Sequence, residues 1–257
     1  MTVGINIAPN TVLDRACETC RVAKSLRTVS REPQKRPEKA FQVINVDVDG
    51  PITPTGIGGC RWGLLITDSA VSTRWGFTYK TKAEAFDILV NFVVGVERQY
   101  GRKVEIIRMD NGTEFGGHKL EVWAAKAGIK MEPTVPYTPE QDGIAERSFR
   151  TVFERVRSIT IDHQVPKQLW PELFKGVVYT MNRTATSTLK GMTPYEALSR
   201  QVGDGKGRRL PVDHLRVLSC KAVVHIQAPR RTKSDKLSPR RETGILVGYE
   251  GNYIYRV

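Results

Sequence analysis

Cysteine is scarce in this chain. Four occur among 257 residues, Cys17, Cys20, Cys60 and Cys220, and only the first two are close in sequence. That spacing speaks against a secreted disulfide framework and for a reducing compartment. Long hydrophobic runs are missing too: no stretch approaches the roughly 18 apolar residues of a membrane span. The first ten residues lack the basic start and apolar centre of a secretory signal. A soluble, intracellular protein with no membrane partner is expected. Internal repeats and extended low-complexity tracts are likewise absent. Negative charge is in deficit, with 27 acidic residues against 40 Lys and Arg, a net charge of +13 and a pI near 9.7. A balance that basic suits a polyanionic partner, because each neutralised phosphate releases condensed counterions. Composition alone suits a ribosomal-type or simply soluble basic protein equally well.

The length allows one large domain, or a core with small flanking modules, and is enough to bury a proper core. Residues 1–40 are polar and basic and end in a run with two prolines and mixed charge, which reads as an irregular linker. Between 41 and 205 the periodicity alternates. Residues 41–48, 61–68 and 73–80 read as three consecutive strands joined by short turns, 82–100 as a helix on Ala85, Phe86, Leu89, Val93 and Val96, and 104–109 as a buried strand. A short helix around Leu120, Trp123, Ala124 and Ala127 follows, then a fifth strand at 129–135. From Ala145 a long helix carries the stripe Phe149, Val152, Val156 and Ile159. Another core-facing helix carries Trp170, Leu173, Phe174, Val177 and Met181, and Thr193-Pro194-x-Glu196 reads as a structural capping box. Residues 206–257 hold short β-type runs at 222–226 and 244–255, separated by a basic loop at 230–236; a small β module is expected there.

Three acids stand out. Asp47 ends the first strand, Asp110 follows the fourth and opens Asp110-Asn111-Gly112-Thr113-Glu114-Phe115, and Glu146 sits in the first turn of the long helix. Residues 111–145, thirty-five of them, separate the last two acids. Singly, each has an ordinary explanation as a turn, cap or first-turn residue. Asp49, on the same strand face as Asp47, is an alternative first ligand. Together, three convergent carboxylates are what a pair of divalent cations needs for phosphodiester chemistry. The element order, three strands, helix, strand, helix, strand, helix, is that of the ribonuclease-H-like fold. In that fold the first and fourth strands pair, which would make Asp47 and Asp110 neighbours, with Glu146 approaching from the adjacent helix.

The residues around these acids carry a specific resemblance. Asp47-x-x-Gly50-Pro51, Asp110-Asn111-Gly112-x-Glu114-Phe115 and Pro136-Tyr137-Thr138-Pro139-x-Gln141-x-Gly143-x-Ala145-Glu146-Arg147 are similar to the D,D-35-E integrases of copia-type (Ty1-like) LTR retrotransposons. The similarity continues through 191–198, 214–220 and 244–249. Asp142 stands where that family usually has Asn, and Met109 where a small polar residue is common; neither departure removes a ligand. The resemblance implies a polynucleotidyl transferase that trims element cDNA ends and joins them to host DNA. It also implies two Mg²⁺ or Mn²⁺ ions on Asp47, Asp110 and Glu146, a homo-oligomer, and action in the nucleus after a cytoplasmic particle stage.

Turn formers at 138–139 and 142–143 make the stretch before Glu146 a loop able to order against DNA. Asn111, Gln141, Arg147, Arg150 and Arg157 are the expected nucleic-acid contacts, with Arg155 on the same helix, and RNA is a second polyanion the basic chain would bind. Cys17-x-x-Cys20 is half a tetrahedral zinc site. In the resembling family an upstream His pair completes it, whereas His118, His163, His214 and His225 all come later here. The expectation is a reduced pair that holds zinc weakly or not at all. The alternative to an active integrase is a non-catalytic nucleic-acid-binding remnant of a retrotransposon polyprotein.

Overall fold

Seven residues of mixed β-branched and polar type, Val43–Asp49, form strand β1 at the centre of a five-stranded sheet. In this computed structural model the described residues are 36–109, 117–133, 145–203, 205, 207, 210–226 and 239–257; for 133 and 145–147 the description covers the backbone alone. β2 (Trp62–Asp68) pairs antiparallel with β1, and β3 (Arg74–Tyr79) antiparallel with β2. β4 (Ile106–Met109) lies parallel on the other side of β1, and β5 (Lys130–Pro133) is parallel to β4. The order β3-β2-β1-β4-β5 is that of the ribonuclease-H-like fold expected from the sequence.

Side-chain alternation gives the sheet two apolar faces. Ile44 and Val46 of β1, with Leu64 and Ile66 of β2, point into one core. Helix α1 (Glu84–Tyr100) covers it with Ala85, Leu89, Val93 and Val96, and α2 (His118–Ala127) with Leu120 and Ala124. The three- and four-residue spacing of those apolar positions fixes which face each helix buries. Thr81 and Glu84 start α1 reciprocally: the Glu84 carboxylate accepts from the Thr81 backbone N–H and hydroxyl, both at 2.8 Å. Gly101, at φ 61°, stops the helix in the left-handed conformation and donates its N–H to Glu97 O.

Leu65 of β2 points the opposite way, into a second core formed with α3 (Ala145–Asp162) and α4 (Trp170–Met181). Phe149, Val152 and Val156 of α3 meet Leu173, Phe174 and Val177 of α4 there. Leu173 and Phe174 are fully buried, and truncating either to Ala would cost about 2–5 kcal/mol. Helix α5 (Pro194–Val202) opens on the expected cap, with Glu196 N–H donating to Thr193 Oγ1 at 3.1 Å.

β6 (Lys221–His225) pairs antiparallel with β7 (Arg241–Ile245), and β8 (Gly248–Glu250) with β9 (Ile254–Arg256). The apolar run expected at 244–255 is thus three strands rather than one, because Gly251, at φ 66°, turns the chain between β8 and β9. Leu246 and Tyr249 enter the α3–α4 core, the Tyr249 ring stacks on Tyr179 of α4 at 5.0 Å, and Arg256 grips Glu172 of α4 through Nε at 2.5 Å and Nη2 at 3.1 Å. The basic loop expected at 230–236 lies outside the described residues.

A second expectation fails. The first three strands are not joined by short turns throughout, since residues 50–61 separate β1 from β2. The cause is tertiary. Gly56 is wedged against Pro171 and Trp170 at the start of α4, and Trp170 Nε1 donates to Pro54 O at 3.2 Å, so the connection is held out along the second core rather than folded into a hairpin.

Candidate active site

Asp47 sits on the face of β1 opposite Ile44 and Val46, level with Leu65 across the β1–β2 ladder. It therefore belongs to the face that α3 covers, together with Asn45 and Asp49. Asp47 is half-buried and Asp49 is exposed. The β1–β4 ladder runs Val43↔Ile106, Ile44↔Ile107, Asn45↔Arg108 and Val46↔Met109, so it ends one position before Asp47 on one strand and one before residue 110 on the other. Asp110 and Asn111 lie outside the described residues.

Helix α3 carries Glu146 as its second residue and Arg147 as its third; their side chains lie outside the description, and Gln141 lies outside it altogether. The first described contact of the helix fixes where it starts. The Phe149 ring lies 3.4 Å from the point where a side chain on Gly63 would begin, and Gly63 pairs with Asp49. Phe149 also stacks on Phe153 at 5.0 Å. The opening of α3 is thereby set against the end of β1 that bears Asp47 and Asp49.

Asn45 and Glu132, on the same face, have partners of their own. Asn45 is buried and its amide donates to Ser69 Oγ at 2.7 Å and to Thr67 O at 3.3 Å. Glu132 on β5 shares the face through the pairing Asn45↔Arg108↔Glu132. It accepts from Lys130 Nζ and Arg108 Nε, both at 2.8 Å, and these two cations hold its carboxyl below the ordinary glutamate range. Glu132 is thus an acid neutralised by its partners, and sequence reading missed it because nothing in the chain announces the β4–β5 register. Asp68 is a second acid that sequence reading passed over. It is fully buried at the far end of β2 and accepts from the backbone N–H groups of Phe41, Ala70 and Val71; burial raises its pKa against those bonds. Its oxygens hold the β2–β3 turn.

Arg150, Arg155 and Arg157 are exposed on α3. Arg150 and Arg157, seven residues apart, share one side of the helix. Arg150 pairs loosely with Glu154 at 3.8 Å, a solvent-screened contact worth little. Among the described residues no three His, Cys, Asp or Glu side chains gather as a metal cluster. Two of the three expected metal acids, and both Cys17 and Cys20, fall outside the described side chains. Also among the described residues, no helix is long and apolar enough to cross a membrane.

No family model matches the chain. It is 31% identical over 236 residues to the retrovirus-related Pol polyprotein from transposon TNT 1-94 of Nicotiana tabacum, covering 91% of this chain and 17% of that polyprotein. It is 28% identical over 235 residues to the Pol polyprotein from transposon RE2 of Arabidopsis thaliana, covering 91% of this chain and 15% of the other. The chain spans about one sixth of the length of these relatives. Among solved structures, a chain of the simian T-cell lymphotropic virus intasome in complex with PP2A regulatory subunit B56 gamma superposes with a TM-score of 0.55 at 16% identity, covering 90% of this chain and 77% of that one. The likeness agrees with the ribonuclease-H-like order of the five-stranded sheet. With the acid motifs, the sheet order and the Pol relatives in agreement, the chain belongs to the integrase cores of copia-type retrotransposons.

Proposed function

We propose that this chain is the integrase of its element, a divalent-metal-dependent polynucleotidyl transferase that trims cDNA 3′ ends and inserts them into host DNA. The observation that carries the reading is the β1–β4 register. It ends on Val46↔Met109, one position before Asp47 on β1, and Asp47 lies on the sheet face that α3 covers. Carboxylate oxygens on Asp47, Asp110 and Glu146 are the hard donors that Mg²⁺ or Mn²⁺ takes. When bound, a pair of such ions supplies the charge that activates a water or 3′-hydroxyl and steadies the leaving oxygen. Glu132 does not compete for that role, since Arg108 and Lys130 already neutralise it.

The remaining site residues position the polyanion. Arg150 and Arg157 face solvent along one side of α3 and, in this reading, track phosphates, while Asn111, Gln141 and Arg147 order the strand next to the acids. The basic chain binds RNA by the same phosphate chemistry. Function in a homo-oligomer, in the nucleus after a cytoplasmic particle stage, follows from the same assignment. Cys17 and Cys20 hold zinc weakly or not at all.

Transesterification is reversible, so a branched duplex tests the joining step, and a linear donor duplex tests the trimming step. A branched duplex that mimics the joined product should release the joined strand with Mg²⁺ or Mn²⁺, and a linear donor duplex should lose its 3′ terminal nucleotides. A chain that binds both duplexes and turns over neither would be the non-catalytic nucleic-acid-binding remnant.

A further inference from the structure

Residues 50–61 leave β1 directly after Asp49 and re-enter the sheet at Trp62, so the loop stands at the same end of the sheet as Asp47. Its base is clamped. Ile52 N–H donates to Arg61 O at 2.7 Å, Gly56 N–H to Cys60 O at 2.7 Å, and Trp170 Nε1 to Pro54 O at 3.2 Å. Gly56 is buried so tightly that a side chain there would begin 2.3 Å from Pro171 Cγ. Ile52 and Phe149 of α3 both approach Gly63, so the loop and the helix carrying Glu146 share one support.

The tip has the opposite character. Ile57 is 53% exposed, and Gly58 beside it, at φ 74°, has open space where a side chain would be. Residues 51–60 contain no charge in a chain that is 26% charged, so an uncharged tip stands among charged neighbours. Arg61 and Lys80 are exposed beside it, and a side chain on Gly59 would begin 3.7 Å from the Lys80 stem. A lone exposed isoleucine is ordinary on protein surfaces. This one crowns a rigid support, flanked by cations, at the end of the sheet where the acids stand.

We propose that Ile57 is a wedge that enters a base step of the target duplex, with Arg61 and Lys80 on the flanking phosphates. Apolar side chains inserted this way unstack a step and bend the duplex, and a preorganised tip spends no binding energy on its own ordering. The proposal rests on the integrase reading for the identity of the duplex. Bending the target there would open the scissile phosphate toward Asp47.

Two measurements on the full chain separate the wedge from the chemistry. In the first, 2-aminopurine is placed at the step flanking the junction of a branched duplex, and protein is added without divalent metal. The chain should brighten the probe several-fold. Ile57→Ala should bind with comparable affinity at the same salt and melt at the same temperature, yet leave the probe dark, and Ile57→Leu should restore the signal. A dark probe with the parent chain, or equal brightening by Ile57→Ala, overturns the wedge whatever the chemistry shows. In the second, strand release is timed with Mn²⁺. Ile57→Ala should be about tenfold slower on a matched target arm and recover when the step is mismatched, since an unstacked step needs no wedge. A loss that the mismatch does not restore overturns the wedge. A parent chain that brightens the probe but never releases the strand overturns the integrase reading and keeps the wedge as a DNA contact.

Discussion

The Phe149 ring lies 3.4 Å from the point where a side chain on Gly63 would begin. This contact joins the helix bearing Glu146 to the strand paired with the end of β1, where Gly63 faces Asp49. A first carbon on residue 63 would just touch the ring, but a branched side chain has no room. Gly63→Val should cost about 1–3 kcal/mol of stability as overpacking. Strand release should fall further than that loss explains, because the opening of α3 is pushed away from β1. Denaturant unfolding beside a rate measurement under fully folded conditions checks this. A variant that loses stability and keeps its rate would show that α3 does not position the site.

Asp47 and Asp49 share one face of β1, but Asp47 is half-buried under the α3 side and Asp49 is exposed. Asp47→Asn should lower strand release by about a hundredfold or more, the scale of losing several kcal/mol of charge stabilisation. Asp49→Asn should stay within a few-fold of the parent. The reverse ranking would make Asp49 the ligand.

Glu132 offers a pH test away from the chemistry. Lys130 and Arg108 hold its carboxyl below the usual range in the folded chain. A carboxylate with a depressed folded pKa stabilises the fold above its unfolded pKa, about 4.3 for glutamate. The contribution is lost as pH falls through the lower folded value. Glu132→Gln should therefore be less stable than the parent near neutral pH, by about 1 kcal/mol or less given partial solvent screening, and the difference should vanish in acid. Melting curves from neutral pH down to about 3 read it directly; a gap that persists in acid would mean that packing, not charge, is what the substitution removes.

Much of this was legible in the chain. The period of the apolar residues predicted all five strands of the main sheet and the helices between them, because each helix buries one stripe and each inner strand is covered on both faces. That Asp47 and Asp49 share one face of β1 followed from alternation, whereas the covering of that face by α3 depends on packing. What the sequence concealed depends on distant partners. The clamp on residues 50–61 joins Trp170 to Pro54, 116 positions apart. The neutralisation of Glu132 needs Arg108 from the neighbouring strand, in a register that no local pattern specifies.

Duplex binding should be strongly salt-dependent. The excess of 40 basic over 27 acidic residues predicts affinity drawn mainly from phosphates. Neutralising about six of them implies a roughly thousandfold fall between about 50 and 200 mM salt. Fluorescence anisotropy across that range measures the slope. A flat response would point to a protein or small-molecule partner in place of nucleic acid.

The decisive measurement is strand release from the branched duplex by Asp110→Asn, taken beside duplex binding by the same preparation. A transferase built on three carboxylates predicts that release is abolished in Mg²⁺ and Mn²⁺ alike, because one ligand charge is gone, while affinity stays within about twofold, because binding is carried by basic side chains elsewhere. Release at the parent rate by Asp110→Asn would contradict the assignment of Asp47, Asp110 and Glu146 as the catalytic acids.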